Sequence, residues 1–289
     1  MYYKKDLTSI IMPTCHKLLK TNKLCFEKSI KQNYRSIEFL ILISGMNRRE
    51  YEKIVNFLNK KNIYNHKLKT IYSLDKVGIG EARRKLLTLS QGEYIIFLDS
   101  DDLPIKGLIK KKVSISKKFN SNIIFSNAKV HNNKNFKSKK IILRNYYIYL
   151  TRFKKFFNAE IFDGINLFPN SGTLIKRNKE NNCLLKNYPI CKHEDFIFYK
   201  RFIELNKEFT ISNKYMISYN IEGTSTSNKL KSRLWHYNCL VKELNRNKIK
   251  SAIYTIFGLS IILLIRFYFI LTPYNKINSI KNKKIIING

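Results

Sequence analysis

The residues best suited to chemistry sit in one stretch, Gly92-Glu93-Tyr94-Ile95-Ile96-Phe97-Leu98-Asp99-Ser100-Asp101-Asp102. Tyr94 to Leu98 is a short apolar run, rich in aromatic and β-branched residues, and reads as a buried central strand. Three carboxylates within four positions follow it. Unpaired carboxylates are too costly to bury, so they belong where the strand surfaces. In an open α/β sheet that place is the carboxyl edge, where ligands bind. Strand alternation puts Asp99 and Asp101 on one face with Ser100 between them. Two oxygen donors on one face suit a hard divalent cation, Mg2+ or Mn2+, which keeps waters and takes other ligands from a phosphate. The alternative is an Asp-rich turn that caps a helix starting near Pro104.

A second acidic pair, Glu194-Asp195, follows Cys191-Lys192-His193 and opens a helical pattern over 196–205. Negative charge is stabilised there by the helix dipole, and acidic first turns are common for that reason alone. A metal–carboxylate cluster at a sheet edge, with a separate carboxylate to take a proton from a hydroxyl, fits group transfer from a nucleotide-activated donor. His193 reads either as an orienting group beside that pair or as a surface histidine. His236, beside Trp235, reads either as a residue reaching the metal or as part of a helix contact.

The elements that must position these groups alternate. Strand-like runs at 9–12, 38–43 and 68–72 alternate with helical patterns after residue 16, at 51–58 and at 81–89, the last preceded by a Gly78-Ile79-Gly80 loop. This order implies a mostly parallel α/β sheet with helices on both faces. Beyond Asp102, further strands are expected at 123–126, at 173–175 after Asn170-Ser171-Gly172, and at the start of 218–227; a polar basic loop is expected at 129–140.

Composition narrows the partners. The chain has 289 residues and a net charge of +35, which suits an anionic membrane face or nucleic acid. Lys, Asn and Ile crowd the whole sequence, so general composition explains much of the charge. No nucleic-acid-binding motif is present, and no nucleic-acid partner is expected. Five cysteines without C-x-x-C spacing indicate neither a disulfide framework nor a zinc site, and favour a reducing compartment. No signal peptide is read at the start. Residues 251–272 form an apolar stretch with basic flanks, read as membrane-contacting, by spanning or lying shallowly, or else as a buried helix. The expected organisation is a catalytic domain over 1–230 and a helical extension over 231–289.

Ser9-Ile10-Ile11-Met12-Pro13-Thr14, Ser29-Ile30 with Gln32-Asn33-Tyr34, Glu38 to Gly45, Gly78 through Ala82-Arg83, and Gly92 through Asp102 together resemble the family 2 glycosyltransferases of the GT-A fold, in order and spacing. The similarity is close over roughly the first 105 residues and looser to about residue 230. The resemblance implies inversion at the anomeric carbon and a nucleotide-sugar donor, a UDP-hexose or UDP-N-acetylhexosamine. The expected acceptor is a hydroxyl on a bacterial surface glycan, and the 251–272 stretch with the +35 charge points to a lipid-linked form at the cytoplasmic face of the inner membrane. Carried over by residue, Asp101 is the metal ligand and Asp99 lies nearer the ribose and diphosphate, with Ser100 between them. Pro13, Thr14, Ser44 and Arg83 fall on the nucleotide side. Asp195 is the general base, and Glu194 and His193 face the acceptor. Ser225 and Ser227 resemble a loop that closes over the diphosphate, and Tyr146, Tyr147 and Tyr149 stand either as sugar-stacking rings or as core or lid. Ile43-Ser44-Gly45-Met46 replaces the usual Asp-Asp-Gly-Ser, Cys15-His16 replaces Tyr-Asn, and Arg84 stands where Asn is usual. The alternative reading is an inactive scaffold with the same fold.

Overall fold

The computed structural model describes residues 3–15, 20–131, 139–141, 170–206, 209–220 and 229–256. The first half is a βα alternation: β1 (Lys4–Thr14), α1 (Lys20–Ile30), β2 (Ile37–Ser44), α2 (Arg48–Lys61), β3 (Lys67–Ser73), α3 (Ile79–Leu89) and β4 (Gly92–Phe97). Then come β5 (Leu103–Pro104), α4 (Leu108–Phe119), β6 (Ile123–His131), β7 (Lys139–Ile141) and β8 (Leu174–Lys176). The short helix α5 (Asn182–Lys186), α6 (Glu194–Asn206), β9 (Thr210–Asn220), α7 (Lys229–Asn238) and a π-helical turn (Cys239–Glu243) follow, and a helical segment is described over 248–256.

Among the described residues nine strands form one sheet, ordered β3-β2-β1-β4-β8-β6-β9-β5, with β7 beside β6. β3, β2, β1 and β4 run parallel, and beyond β4 the sheet is mixed. The parallel half buries both faces, which is why residues 39–43 of β2 and 94–97 of β4 are continuous apolar runs. Alternation divides their side chains between two cores. Ile10, Met12, Phe39, Ile41, Tyr94 and Ile96 pack with α1, α2 and α4 on one face. Ile11, Leu40, Leu42, Ile95 and Phe97 pack with α3, α5 and α6 on the other. The second set matters for function, because it brings α3 and α6 onto the same side of β4.

Local chemistry fits these placements. Asn22, Cys25, Phe26, Ser29 and Ile30 repeat at helical spacing and are the buried side of α1. Asn47 caps α2 by accepting from Glu50 N at 2.9 Å. Pro13 is tolerated in the middle of the sheet for a positional reason. Ile11 gives its carbonyl to Leu98 N, so Pro13, two residues on, faces the same side, where β4 has already ended.

Several sequence expectations shift. α3 begins at Ile79, with Gly78 as its N-cap, so Gly80 lies inside the helix and not in a loop. A Cβ at Gly80 would stand 2.5 Å from Pro189 O and 2.8 Å from Ile190 Cα, so the missing side chain is what lets the 189–190 segment close onto α3. The strand placed at 218–227 is β9 and occupies Thr210–Asn220, and β6 runs into the region read as a basic loop. Among the described residues no helix is long and apolar enough to cross a membrane. Most of 251–272, together with Tyr146, Tyr147, Tyr149, Ser225 and Ser227, lies outside the described residues.

Candidate active site

β4 ends at Phe97 and the chain turns over the acidic run, with Asp102 N donating to Asp99 O at 3.1 Å. The strand alternation expected through Asp101 is therefore replaced by a turn. The burial it implied survives: Asp99 and Asp101 are half-exposed, while Ser100 and Asp102 are buried. The capping alternative fails, because the N-cap of α4 is Gly107, in a left-handed conformation and without a side-chain hydrogen bond.

Buried polar groups hold this turn from behind. The Ser100 hydroxyl donates to Thr14 Oγ1 at 3.0 Å, and the Asn22 amide donates to Ser100 O at 3.1 Å. The Cys25 thiol donates to Asp99 O at 3.4 Å. Asp102 accepts from Asn220 N at 3.0 Å and from the Ser171 hydroxyl. Burial, reinforced by the charges of Asp99 and Asp101, pushes the Asp102 carboxyl well above its ordinary pKa. Asp102 is thus a structural support for the turn, and negative charge is concentrated at its outer side.

Arg83 links this turn to the distant acidic pair. It lies on the same stripe of α3 as Leu86 and Leu87, so its guanidinium is carried into the interior and is only 2 % exposed. A buried cation requires partners. Arg83 Nη2 donates to Asp99 Oδ1 at 2.6 Å, and Nη1 donates to Glu194 Oε1 at the start of α6. Asn170, with its amide oriented to satisfy both neighbours, accepts from Arg83 Nη2 at 2.8 Å and donates to the Tyr199 hydroxyl at 2.7 Å. Burial opposes the Arg83 charge, but Asp99, with Tyr188, Glu194 and Asp195, raises its pKa and keeps it a cation. Glu194 is raised to about 7, by burial first and by Asp195, against the pull of Arg83. The approach of the two acidic segments is set by Gly80 and by Arg84, whose Nε donates to Tyr188 O at 2.7 Å, fixing the segment that leads into α6.

The remaining sequence-derived residues fall as follows. Thr14 is buried against Ser100, and Ser44 is buried with its hydroxyl accepting from Val77 N at 3.3 Å, both at the carboxyl edge. Asp195 is half-exposed, and one oxygen accepts from Phe196 N at 2.8 Å. Glu194, read as an acceptor contact, instead turns inward and is 5 % exposed, because Arg83 draws it into the core. His193 has φ +58 and packs toward α7, with ring centroids 6.4 Å from Trp235 and 5.8 Å from His236. His236 is buried against Phe196, in keeping with the helix-contact reading. Asn170, Ser171 and Tyr199 were not read as site residues. The available signal was Gly172, at φ +79, which makes the tight turn placing Asn170 and Ser171 behind the acidic run.

Among the described residues no group of three or more His, Cys, Asp or Glu is arranged to hold a metal ion. Asp99 and Asp101 nonetheless supply hard oxygen donors at the outer side of the turn. The same negative charge that raises Asp102 is what a divalent cation would offset. Mg2+ and Mn2+ need only one or two carboxylates when phosphate and water complete the shell, so this donor set fits them. A cavity of about 410 Å³ opens at the opposite, amino-terminal edge of the sheet, lined by Lys4, Arg35, Glu38, His66 and Lys67 among others. It touches none of the acidic-turn residues and has the wrong lining for a carboxylate–metal site.

Residues 9–182 match the profile of Glycosyl transferase family 2. An uncharacterized glycosyltransferase of Haemophilus influenzae is 28% identical over 287 residues, covering 96% of this chain and 98% of the relative. A UDP-Glc:alpha-D-GlcNAc-diphosphoundecaprenol beta-1,3-glucosyltransferase of Escherichia coli is 27% identical over 127 residues, 44% of this chain and 47% of that protein. Among solved structures, S. aureus TarS 1–349 superposes with a TM-score of 0.57 at 17% identity, over 96% of this chain and 75% of that one. A mannosyltransferase from Pyrobaculum calidifontis, in complex with GDP-Man and Mn2+, gives 0.59 at 12% identity, over 89% and 74%. The acid-tipped central strand, the βα order before it and the matched profile agree, and the chain belongs to glycosyl transferase family 2, with the GT-A fold.

Proposed function

We propose that this glycosyltransferase transfers a hexose or N-acetylhexosamine from a UDP-sugar, with Mg2+ or Mn2+, to a hydroxyl of a lipid-linked surface glycan, inverting the anomeric carbon. The observation that carries the reading is Arg83 joining Asp99 to Glu194, which puts the acidic turn and the Asp195 carboxylate at one carboxyl edge. Related structures support the donor and metal: TarS has been solved with UDP-GlcNAc, and the Pyrobaculum enzyme with Mn2+. The Escherichia coli relative, named as acting on a diphosphoundecaprenol-linked sugar, supports the acceptor class.

In this mechanism Asp101 and Asp99 would hold the cation, whose positive charge would offset the negative charge developing on the diphosphate leaving group. Thr14 and Ser100 shape the floor of the nucleotide side, and Ser44 lines the same edge. Asp195, half-exposed beside the buried pair, removes the proton from the acceptor hydroxyl as the sugar carbon is attacked. Arg83 and Glu194 are positioning residues: they fix the start of α6, and so the base, relative to Asp99. The +35 charge and the apolar 251–272 stretch support a place at the cytoplasmic face of the membrane, with 1–230 catalytic and 231–289 an extension toward the lipid.

The test is UDP release from a panel of UDP-sugars with Mn2+ and crude lipid acceptor. Asp101→Ala should lose transfer and metal-dependent UDP binding while keeping its fold by circular dichroism. Asp195→Asn should keep UDP binding and lose transfer by roughly 10²-fold or more, as expected for a general base. A wild-type chain that binds UDP but turns over no donor would favour the inactive-scaffold reading.

A further inference from the structure

All five cysteines are free thiols, but two of them are neighbours. Cys191 lies three residues before Glu194, and Cys239 opens the π-helical turn after α7. Cys191 packs on a small core of Phe196, Ile197, Cys239 and Leu240, which joins the start of α6 to the C-terminal extension. The Cys239 thiol donates to Lys192 O at 2.8 Å, one peptide away from Cys191. Cys239 is 4 % exposed, whereas Cys191 is half-buried and can be reached from solvent.

We propose that Cys191 and Cys239 are a dithiol modification site, which a low-molecular-weight disulfide such as oxidised glutathione converts to an intrachain disulfide. The two thiols also differ in acidity. The proximity of the Cys239 thiol lowers the pKa of Cys191, and the same pairing, with burial, raises that of Cys239. Cys191 is therefore the attacking thiolate. It displaces one glutathione thiol and forms a mixed disulfide. Cys239 then gives up its proton, attacks the Cys191 sulfur and releases the second glutathione thiol. Two protein thiols are oxidised, and one small disulfide is reduced to two thiols. The bond closes a ring containing α6 and ties the loop before Glu194 to the turn that begins the extension. The remaining cysteines lack this arrangement: Cys183 is exposed, and Cys25 is buried with its pKa raised by burial.

The full-length reduced protein is incubated with oxidised glutathione, alkylated, digested without reduction and mapped by mass spectrometry. The expected result is loss of two alkylatable thiols and a Cys191–Cys239 peptide pair lighter by two hydrogens, reversed by dithiothreitol. In Cys239→Ser the glutathione adduct should persist on Cys191, because the resolving thiol is gone. Glutathione adducts at Cys183 or Cys15 with both Cys191 and Cys239 still alkylatable in the wild type would overturn the proposal. So would protection of the pair that EDTA, rather than a reductant, removes. The wild-type map decides the matter even if the Cys239 variant folds poorly.

Discussion

Replacing Arg83 with Met tests whether the buried guanidinium holds the two acidic segments together. Met keeps much of the aliphatic length and removes both ion pairs. Glu194 is then left in the core with a side chain 7% exposed, and Asp99 with one 27% exposed. Breaking a buried ion pair from one side is destabilising by about 3–5 kcal/mol. At about 2–4 °C per kcal/mol for a domain of this size, the melting temperature should fall by roughly 6–20 °C at pH 8. The loss should depend on pH. Glu194, raised to about 7, is largely neutral at pH 5, so the stranded charge there is mainly that of Asp99. The deficit should therefore shrink to roughly half. Arg83→Lys keeps the charge but cannot fork to two carboxylates, and should fall between Met and wild type. Thermal and urea unfolding of the three proteins at pH 5 and pH 8 measure this. Equal stability of Arg83→Met and wild type, or a deficit larger at pH 5, would refute the assigned bridge.

Two other perturbations probe the same assembly. Gly80→Ala places a methyl against Pro189 O and Ile190 Cα, so the 189–190 segment must move off α3. Overpacking of this kind destabilises by about 1–3 kcal/mol, and transfer should fall more than UDP binding because the start of α6 is displaced; assays of both on one preparation check it. Glu194 has its pKa raised from 4.5 to about 7 in the folded chain, so its stabilising contribution is complete below pH 4.5 and is lost as pH rises through about 7. The urea-midpoint advantage of wild type over Glu194→Gln should accordingly decline between pH 5 and pH 8, and a constant or growing advantage would contradict the assignment.

Much of the site was legible because its signals are local. An apolar run ending in Asp99-Ser100-Asp101-Asp102 is a buried strand that surfaces, and Glu194-Asp195 opens a helix as its charge requires. Arg83 was harder. A cation on the same stripe as Leu86 and Leu87 signals a buried partner, but residues 16 and 111 positions away cannot be named from spacing. Asn170 and Ser171 sit in a short polar turn with no periodicity, where only Gly172 stands out. β9 was misplaced because Ser212, Asn213 and Lys214 interrupt its apolar pattern. Its pairing with β6 shifts register around Asn127, an irregularity that arises between strands and is not encoded in either alone. The start of α3 was misread because Gly78 and Gly80 read as loop residues, while the close approach of Pro189 gives Gly80 a packing reason to lie within the helix.

The most direct measurement is a crystal structure of the protein soaked with UDP and Mn2+, with the ion located by anomalous scattering. The account predicts manganese beside Asp101 and Asp99, the diphosphate on it, and the Asp195 carboxylate facing the same cleft. UDP seated elsewhere, for example in the basic cavity of Lys4, Arg35 and Lys67 at the opposite sheet edge, or manganese away from both aspartates, would contradict it.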